Sequence, residues 1–275
     1  VFDAHVHAAP DVSPRLGDDA DIAAAYADVD FDGFVLKAHY ESTVGRARAV
    51  ARATGMDVVG GLALNQHCGG VNPSAVAAAL GSGGRVIWMP TADSHLQEAA
   101  GLPRLCDQSP RLPRASYAIP PVDPDAEAAT EAVLAIASDH DAVVATGHLS
   151  IAECRWLAER WRRYGGRRLL FTHPTYTVPG MDPSLVTELA ELGGFVEITA
   201  FQLFHQPGCT PAFLAQVARA AGPRLILSSD AGQPDSPAPP AALHQLIDVL
   251  ADEGVDRGAL LAAASTTPAD LFRPR

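Results

Sequence analysis

Eight short, continuously apolar runs alternate with Ala-rich amphipathic stretches from one end of the chain to the other, and this alternation limits the fold more than any other feature. The runs span 2–7, 33–39, 57–65, 85–91, 142–148, 168–173, 195–199 and 224–230. They are too short and too uniformly apolar for half-exposed antiparallel strands, and they suit parallel strands buried on both faces. The stretches between them predict helices near 18–29, 43–54, 73–80, 125–139, 151–163, 183–192, 211–221 and 239–253. Several open on a capping residue followed by an acid, as in Ser150-Ile-Ala-Glu153. Eight β/α repeats in 275 residues predict a closed (β/α)8 TIM barrel, one domain over 1–275. The competing fold, a doubly wound open sheet, usually has a Gly-rich phosphate turn after its first strand, where this chain has Ala-Ala-Pro10. The Pro-rich segment 92–124, with Arg104, Arg111 and Arg114, is longer than the other connections. It follows the fourth strand on the face where such barrels keep their active sites, and it is expected to act as a lid.

Composition narrows the class of partner. With 48% hydrophobic and 19% charged residues the chain can bury a core, which excludes wholesale disorder. A net charge of −12 repels phosphate backbones, so nucleic acid is not an expected partner. No apolar run is long enough to span a bilayer, and the first residues lack a basic-then-apolar signal pattern. The cysteines, Cys68, Cys106, Cys154 and Cys209, are far apart and form no C-x-x-C pair. Together these features predict a reduced, cytoplasmic protein that acts on a small molecule, with homo-oligomerisation compatible but unmarked. Among 20 basic residues Lys37 is the one lysine. Where positive charge elsewhere has become Arg, a retained amine points to a role that a guanidinium cannot fill, as a compact donor or a modifiable nucleophile.

The chemistry-bearing residues collect at the carboxyl ends of the predicted strands. The first ends in His5-Val-His7, two imidazoles on one face. The second carries Lys37 and His39, the third ends at Asn65, the fifth at His148 and the sixth at His173. The seventh holds Glu197 and the eighth ends at Asp230. One buried His is usually structural, but five and an Asp at one end of successive strands form the nitrogen and oxygen ligand set of a catalytic divalent metal. Zinc fits that set best, with manganese and iron in the same ligand class, as one ion or two. Weaker candidates for substrate contact are Arg15, Asn65 and Glu197. Glu197 is also a candidate ion-pair partner for Lys37. Asp93 and His95 begin the long loop, whereas His67, His140, His205 and His244 have no partner pattern.

This pattern resembles the amidohydrolase superfamily, with H-x-H on strand one, His on strands five and six, and Asp on strand eight. The segments FDAHVHAAPDVSPR, GFVLKAHY, ATGHLS, FTHPTY and SSDAGQPDSPAP are similar to a metal-dependent hydrolase-like subgroup of uncharacterised function. The resemblance implies that His5, His7, His148, His173 and Asp230 hold metal and that Asp230 is the general base; outside that pattern, Lys37 and His39 are further catalytic candidates, His39 as a ligand or a hydrogen-bonding partner. The chain departs from the family's pattern on strand four, where Arg85-Val-Ile-Trp-Met-Pro-Thr91 has neither the usual Lys nor Glu. Lys37 is then either a carbamate between two metals or, the preferred reading, a free ammonium held by Glu197 or by substrate. The expected activity is hydrolysis of a small polar substrate at an amide, cyclic amide or amine-bearing carbon. Lactone or phosphoester hydrolysis uses the same parts. The other classes considered are a decarboxylase-like lyase and a non-catalytic metal-binding barrel.

Overall fold

The computed structural model describes residues 1–109 and 111–273. Position 110 of the 92–124 segment and positions 274–275 of the predicted domain lie outside the described residues. Eight parallel strands run in sequence order: β1 (Phe2–Val6), β2 (Gly33–Leu36), β3 (Asp57–Ala63), β4 (Val86–Trp88), β5 (Val143–Ala145), β6 (Leu169–Phe171), β7 (Phe195–Thr199) and β8 (Leu225–Ser228). Helices α1 (Asp19–Ala27), α2 (Val44–Thr54) and α3 (Pro73–Gly81) return the chain to the next strand after β1, β2 and β3. Between β4 and β5 lie α4 (His95–Ala99) and α5 (Glu127–Asp139), followed by α6 (Ile151–Arg163) after β5 and α7 (Pro183–Glu191) after β6. Two helices, α8 (Ala200–His205) and α9 (Pro211–Ala221), follow β7, and α10 (Pro239–Asp252), α11 (Arg257–Ala263) and α12 (Thr266–Phe272) complete the chain. The fold is a single-domain (β/α)8 barrel. Among the described residues no helix is long and apolar enough to cross a membrane.

The alternating side chains divide the core into two layers, as a closed parallel sheet requires. Phe34, Leu36, Ile87, Val144 and Phe171 pack outward against the helices. Phe2, Val35, Val59, Trp88, Leu170, Ile226 and Phe272 fill the barrel itself. The floor is sealed from below by α12, where the Phe272 ring stacks on Phe2 with centroids 6.2 Å apart. The carbonyls of Asp270 and Leu271 accept hydrogen bonds from the buried Arg168 guanidinium.

Two features differ from the expected strands. Most are shorter than predicted, and β2 stops at Leu36, so Lys37 and His39 sit just beyond the ladder. On β1 the simple alternation fails. Phe2 pairs with Gly33 and Asp3 with Phe34, but Val6 pairs with Leu36, so three steps on β1 oppose two on β2. This bulge lets Phe2 and Ala4 fill the barrel while Val6 and Ala8 face the helices, and it turns His5 and His7 toward the mouth. The buried Asp3 carboxylate secures the irregular segment, accepting from the His5 amide at 3.2 Å, the Ser229 amide at 2.9 Å and the Tyr26 hydroxyl at 2.6 Å. Helices α4, α8, α11 and α12 were not anticipated, being too short for a periodic apolar face to register.

Truncating the floor should be costly. Phe272→Ala is expected to lower the unfolding free energy by about 3–5 kcal/mol, the usual range for removing a fully buried aromatic ring. Urea titration followed by tryptophan fluorescence measures it, and a loss below about 1 kcal/mol would show that α12 does not seal the barrel.

Candidate metal centre

The site is assembled where the barrel closes. The amide of Asp230 donates to the His5 carbonyl at 2.8 Å and the amide of His7 donates to the Ala231 carbonyl at 2.9 Å. These bonds join the end of β8 to β1 and set the Asp230 carboxylate among the histidines. Its Oδ1 lies 3.2 Å from Nε2 of His5 and 3.3 Å from Nε2 of His7, and its Oδ2 lies 3.9 Å from Nε2 of His173. His5, His7 and Asp230 thus offer three ligand atoms within 4.8 Å of one another.

Five imidazoles ring the mouth. Centroid distances are 5.3 Å for His5–His7, 5.1 Å for His7–His39, 6.5 Å for His39–His148, 5.1 Å for His148–His173 and 5.8 Å for His173–His5. Burial pushes His5 and His173 down to about 3 and holds His7, His39 and His148 well below the ordinary imidazole value, so all five are neutral near pH 7. Burial also raises Asp230, against the pull of His5 and Lys37.

Backbone geometry at the site is unusual. His173 and Asp230 have φ of 23° and 48°, in the left-handed region that side chains other than Gly seldom enter. Gly147, before His148, has φ 57°, and a Cβ there would stand 2.3 Å from the Met89 carbonyl oxygen.

The donor set fits a divalent cation. The Nδ1 atoms of His148 and His173 are buried without a hydrogen-bond partner among the described residues, an expensive state that a metal relieves. Glu197 orients His5, its Oε1 standing 3.2 Å from Nδ1, which leaves the Nε2 lone pair on the side of Asp230 and Lys37. Glu197 also accepts from the Ser228 hydroxyl at 2.7 Å and from the His173 amide at 3.2 Å.

Several expected contacts are corrected. Lys37 makes no ion pair with Glu197 within 4 Å. Its Nζ stands 3.0 Å from Nε2 of His5 and 5.6 Å from the centroid of the Trp88 ring. Burial lowers this amine, while Asp230 and Glu197 work in the other direction. Glu197 and Asn65 are fully buried behind the cavity wall rather than facing a substrate. Asp93 binds Tyr40 and the Gln66 amide, and His95 binds Glu153. Arg104 is tied to the Ala115 carbonyl and to Asp93. Arg15 does reach the site. Its Nη2 lies 3.3 Å from Nδ1 of His7, and Asp11 holds its Nε and Nη2 at 2.8 and 2.6 Å.

Above the histidines is a cavity of about 700 Å³, lined by Arg15, Lys37, His39, Tyr176, Phe201 and Gln233 among others. Gln97, Pro103, Arg104, Leu105, Asp107 and Gln108 of the long segment form part of its wall. Glu153, at the start of α6, anchors that segment by accepting from the Ile119 amide at 2.9 Å and pairing with His95 at 2.8 Å. Tyr176, Phe201, Gln233 and the supporting Asp3 and Thr91 were missed in the sequence. Only Asp3 had an available signal, an acid inside an otherwise apolar strand.

The fold is a closed (β/α)8 barrel with this cluster at its carboxyl end. The chain belongs to a family of unknown function, DUF6282, whose profile matches residues 1–197. No curated protein matches the sequence. Among solved structures, an amidohydrolase from Pseudomonas aeruginosa has a TM-score of 0.66 at 10% identity, covering 99% of this chain and 96% of that one. An organophosphate-hydrolysing protein engineered from a weak promiscuous lactonase has a TM-score of 0.63 at 16% identity, covering 98% and 95%. The organophosphorus hydrolase from Deinococcus radiodurans has a TM-score of 0.59 at 16% identity, covering 98% and 92%.

Acid should weaken the metal-free fold. A histidine with a depressed folded-state pKa binds its proton more readily when unfolded, so its stabilising effect is complete above about pH 6.5 and is lost as pH falls toward about 3. Asp3, raised to about 6, and Asp230 and Glu197, also raised by burial, act with the opposite sign and reduce the fall that the five imidazoles produce. The urea midpoint of metal-free protein should therefore fall between pH 7.5 and 6. A flat or rising midpoint would contradict the burial of neutral imidazoles. Independently, Gly147→Ala should cost about 1–3 kcal/mol or more in the same assay, because the added carbon must leave the left-handed region or strike the Met89 carbonyl.

Proposed function

We propose that the protein is a metal-dependent hydrolase of small polar molecules, with His5, His7, His148, His173 and Asp230 as its metal ligands. The observation that carries this reading is the meeting of one carboxylate with three neutral, buried imidazoles at the barrel mouth. Zinc bound there would act as a Lewis acid and lower the pKa of a water molecule toward neutrality. The donors serve one ion at His5, His7 and Asp230, and the orphan nitrogens of His148 and His173 extend the set toward a second.

The chain's own groups divide the remaining work. Asp230, raised by burial, takes a proton from the attacking water and returns it to the leaving group. Lys37 and Arg15 present cationic donors at the cavity wall, where an anionic or strongly polar part of the substrate can be held. A metal on Nε2 of His7 requires the ring proton on Nδ1. Arg15, which can only donate, then keeps Asp11 as its partner and turns its free donors to the substrate. The 92–124 segment serves as the lid, excluding water from the cavity it lines. Amides, cyclic amides and amine-bearing carbons remain the preferred targets. The lactonase and organophosphate-hydrolysing neighbours favour including lactones and phosphotriesters.

The test is reconstitution of metal-free protein with zinc, manganese or iron, then a panel of amides, cyclic amides, lactones and phosphotriesters in oxygen-18 water. Hydrolysis should appear with metal, vanish on chelation and place solvent oxygen in the product. Asp230→Asn should lower kcat by about 10²–10⁴-fold, the span of a positioned general base. Full turnover in rigorously metal-free protein, or product without solvent oxygen, would overturn the proposal.

A further inference from the structure

We propose that His39 is a neutral hydrogen-bond donor to a carbonyl or phosphoryl oxygen of the substrate, its proton fixed on Nε2 by a relay through Asn65 and Thr91, and that it is not a metal ligand. The inference deepens the hydrolase reading above and rests on it for the identity of the acceptor oxygen.

The relay follows from counting donors, beginning with groups whose direction is unambiguous. The backbone amides of Thr91 and Asp93 can only donate, and both reach Oδ1 of Asn65, at 3.0 and 3.2 Å. This fixes the orientation of the Asn65 amide. Its Nδ2 then donates to the His39 carbonyl at 2.8 Å and to Oγ1 of Thr91 at 2.7 Å. The Thr91 hydroxyl, fully buried, has one proton left to place. Its other partner among the described residues is Nδ1 of His39 at 2.9 Å. If Nδ1 carried the proton, it would donate to Oγ1 and the hydroxyl hydrogen would be left without an acceptor in a buried site. Thr91 therefore donates, Nδ1 accepts, and the imidazole hydrogen lies on Nε2.

That hydrogen is directed at the reaction site. His39 lines the cavity, stacks on His7 with an interplanar angle of 21° and meets His148 edge-on. A metal-ligating histidine lends a lone pair and carries its proton on the far nitrogen. In His39 the far nitrogen is already an acceptor, so the relay opposes ligation. A neutral, pre-aimed N–H in a dry cavity is well placed to stabilise charge developing on an oxygen.

Two-bond proton–nitrogen spectra of protein labelled with nitrogen-15 histidine report the tautomer, and the signal missing from His39→Gln identifies the residue. The expected result is the Nε2–H form without metal and with two equivalents of zinc, mixed tautomers in Thr91→Val, and unchanged zinc stoichiometry in His39→Gln. On whichever panel substrate the zinc enzyme turns over fastest, His39→Leu should lower kcat about 10²–10³-fold. His39→Gln, which restores an N–H, should recover most of that loss. An Nδ1–H tautomer, loss of the Nε2–H signal on zinc addition, or loss of zinc from His39→Gln would overturn the proposal. If no zinc binds to the wild type, the hydrolase reading fails, while the metal-free spectrum still decides the relay.

Discussion

The pair of backbone hydrogen bonds between β8 and β1 is the interaction on which the rest of the molecule depends. Donation from Asp230 to the His5 carbonyl, and from His7 to the Ala231 carbonyl, closes the barrel at its carboxyl end. The same bonds place the Asp230 carboxylate beside both imidazoles of the first strand. Fold closure and site assembly are therefore one event, and an open sheet could not form the cluster. Closure also removes two exposed strand edges, which would otherwise leave unpaired amides and carbonyls.

That economy has a local cost. Asp230 and His173 take left-handed backbone conformations, and β1 must bulge to present two histidines inward while still filling the floor with Phe2 and Ala4. Both departures are offset nearby. Asp3 accepts from the His5 amide that the bulge leaves outside the ladder, and Glu197 accepts from the amide of His173. Each of these acids is buried and is pushed upward by burial, yet each holds several donors that favour its charged form. The strained positions and the buried acids therefore form one structure, and neither would persist without the other.

Much of this could be read from the chain before the fold was known. Strand number, order and parallel sense follow from the repeating apolar runs, because buried parallel strands and amphipathic helices leave different periodicities. The placing of His5, His7, His148, His173 and Asp230 at strand ends was visible for the same reason. What could not be read were relations between distant side chains. Nothing in the spacing of Lys37 and Glu197 shows that the carboxylate is taken by His5, Ser228 and the His173 amide, leaving the amine to His5. Asn65 looked like a substrate contact because it ends a strand. Its amide is instead spent on the backbone and on Thr91. Arg104 belongs to the segment expected to act as a lid, and the fold uses its guanidinium to hold that segment together. The bulge was hidden too, since a strand buried on both faces has no polar face to reveal that its side chains change sides.

The lone lysine gains a physical reason from this geometry. The nitrogen of His5 that faces Asp230 also accepts from Lys37, so the amine and a metal ion compete for one lone pair. A metal that binds His5 must displace this contact, and an ammonium left beside the cation would be repelled by it. An amine can yield in either of two ways, by losing its proton in a site where burial already lowers its pKa or by swinging on its four-carbon stem. A guanidinium can do neither easily. It stays charged and holds its donors in a rigid planar fork. In a chain whose other basic side chains are all arginine, the lysine here is a donor that could yield to a cation bound at His5.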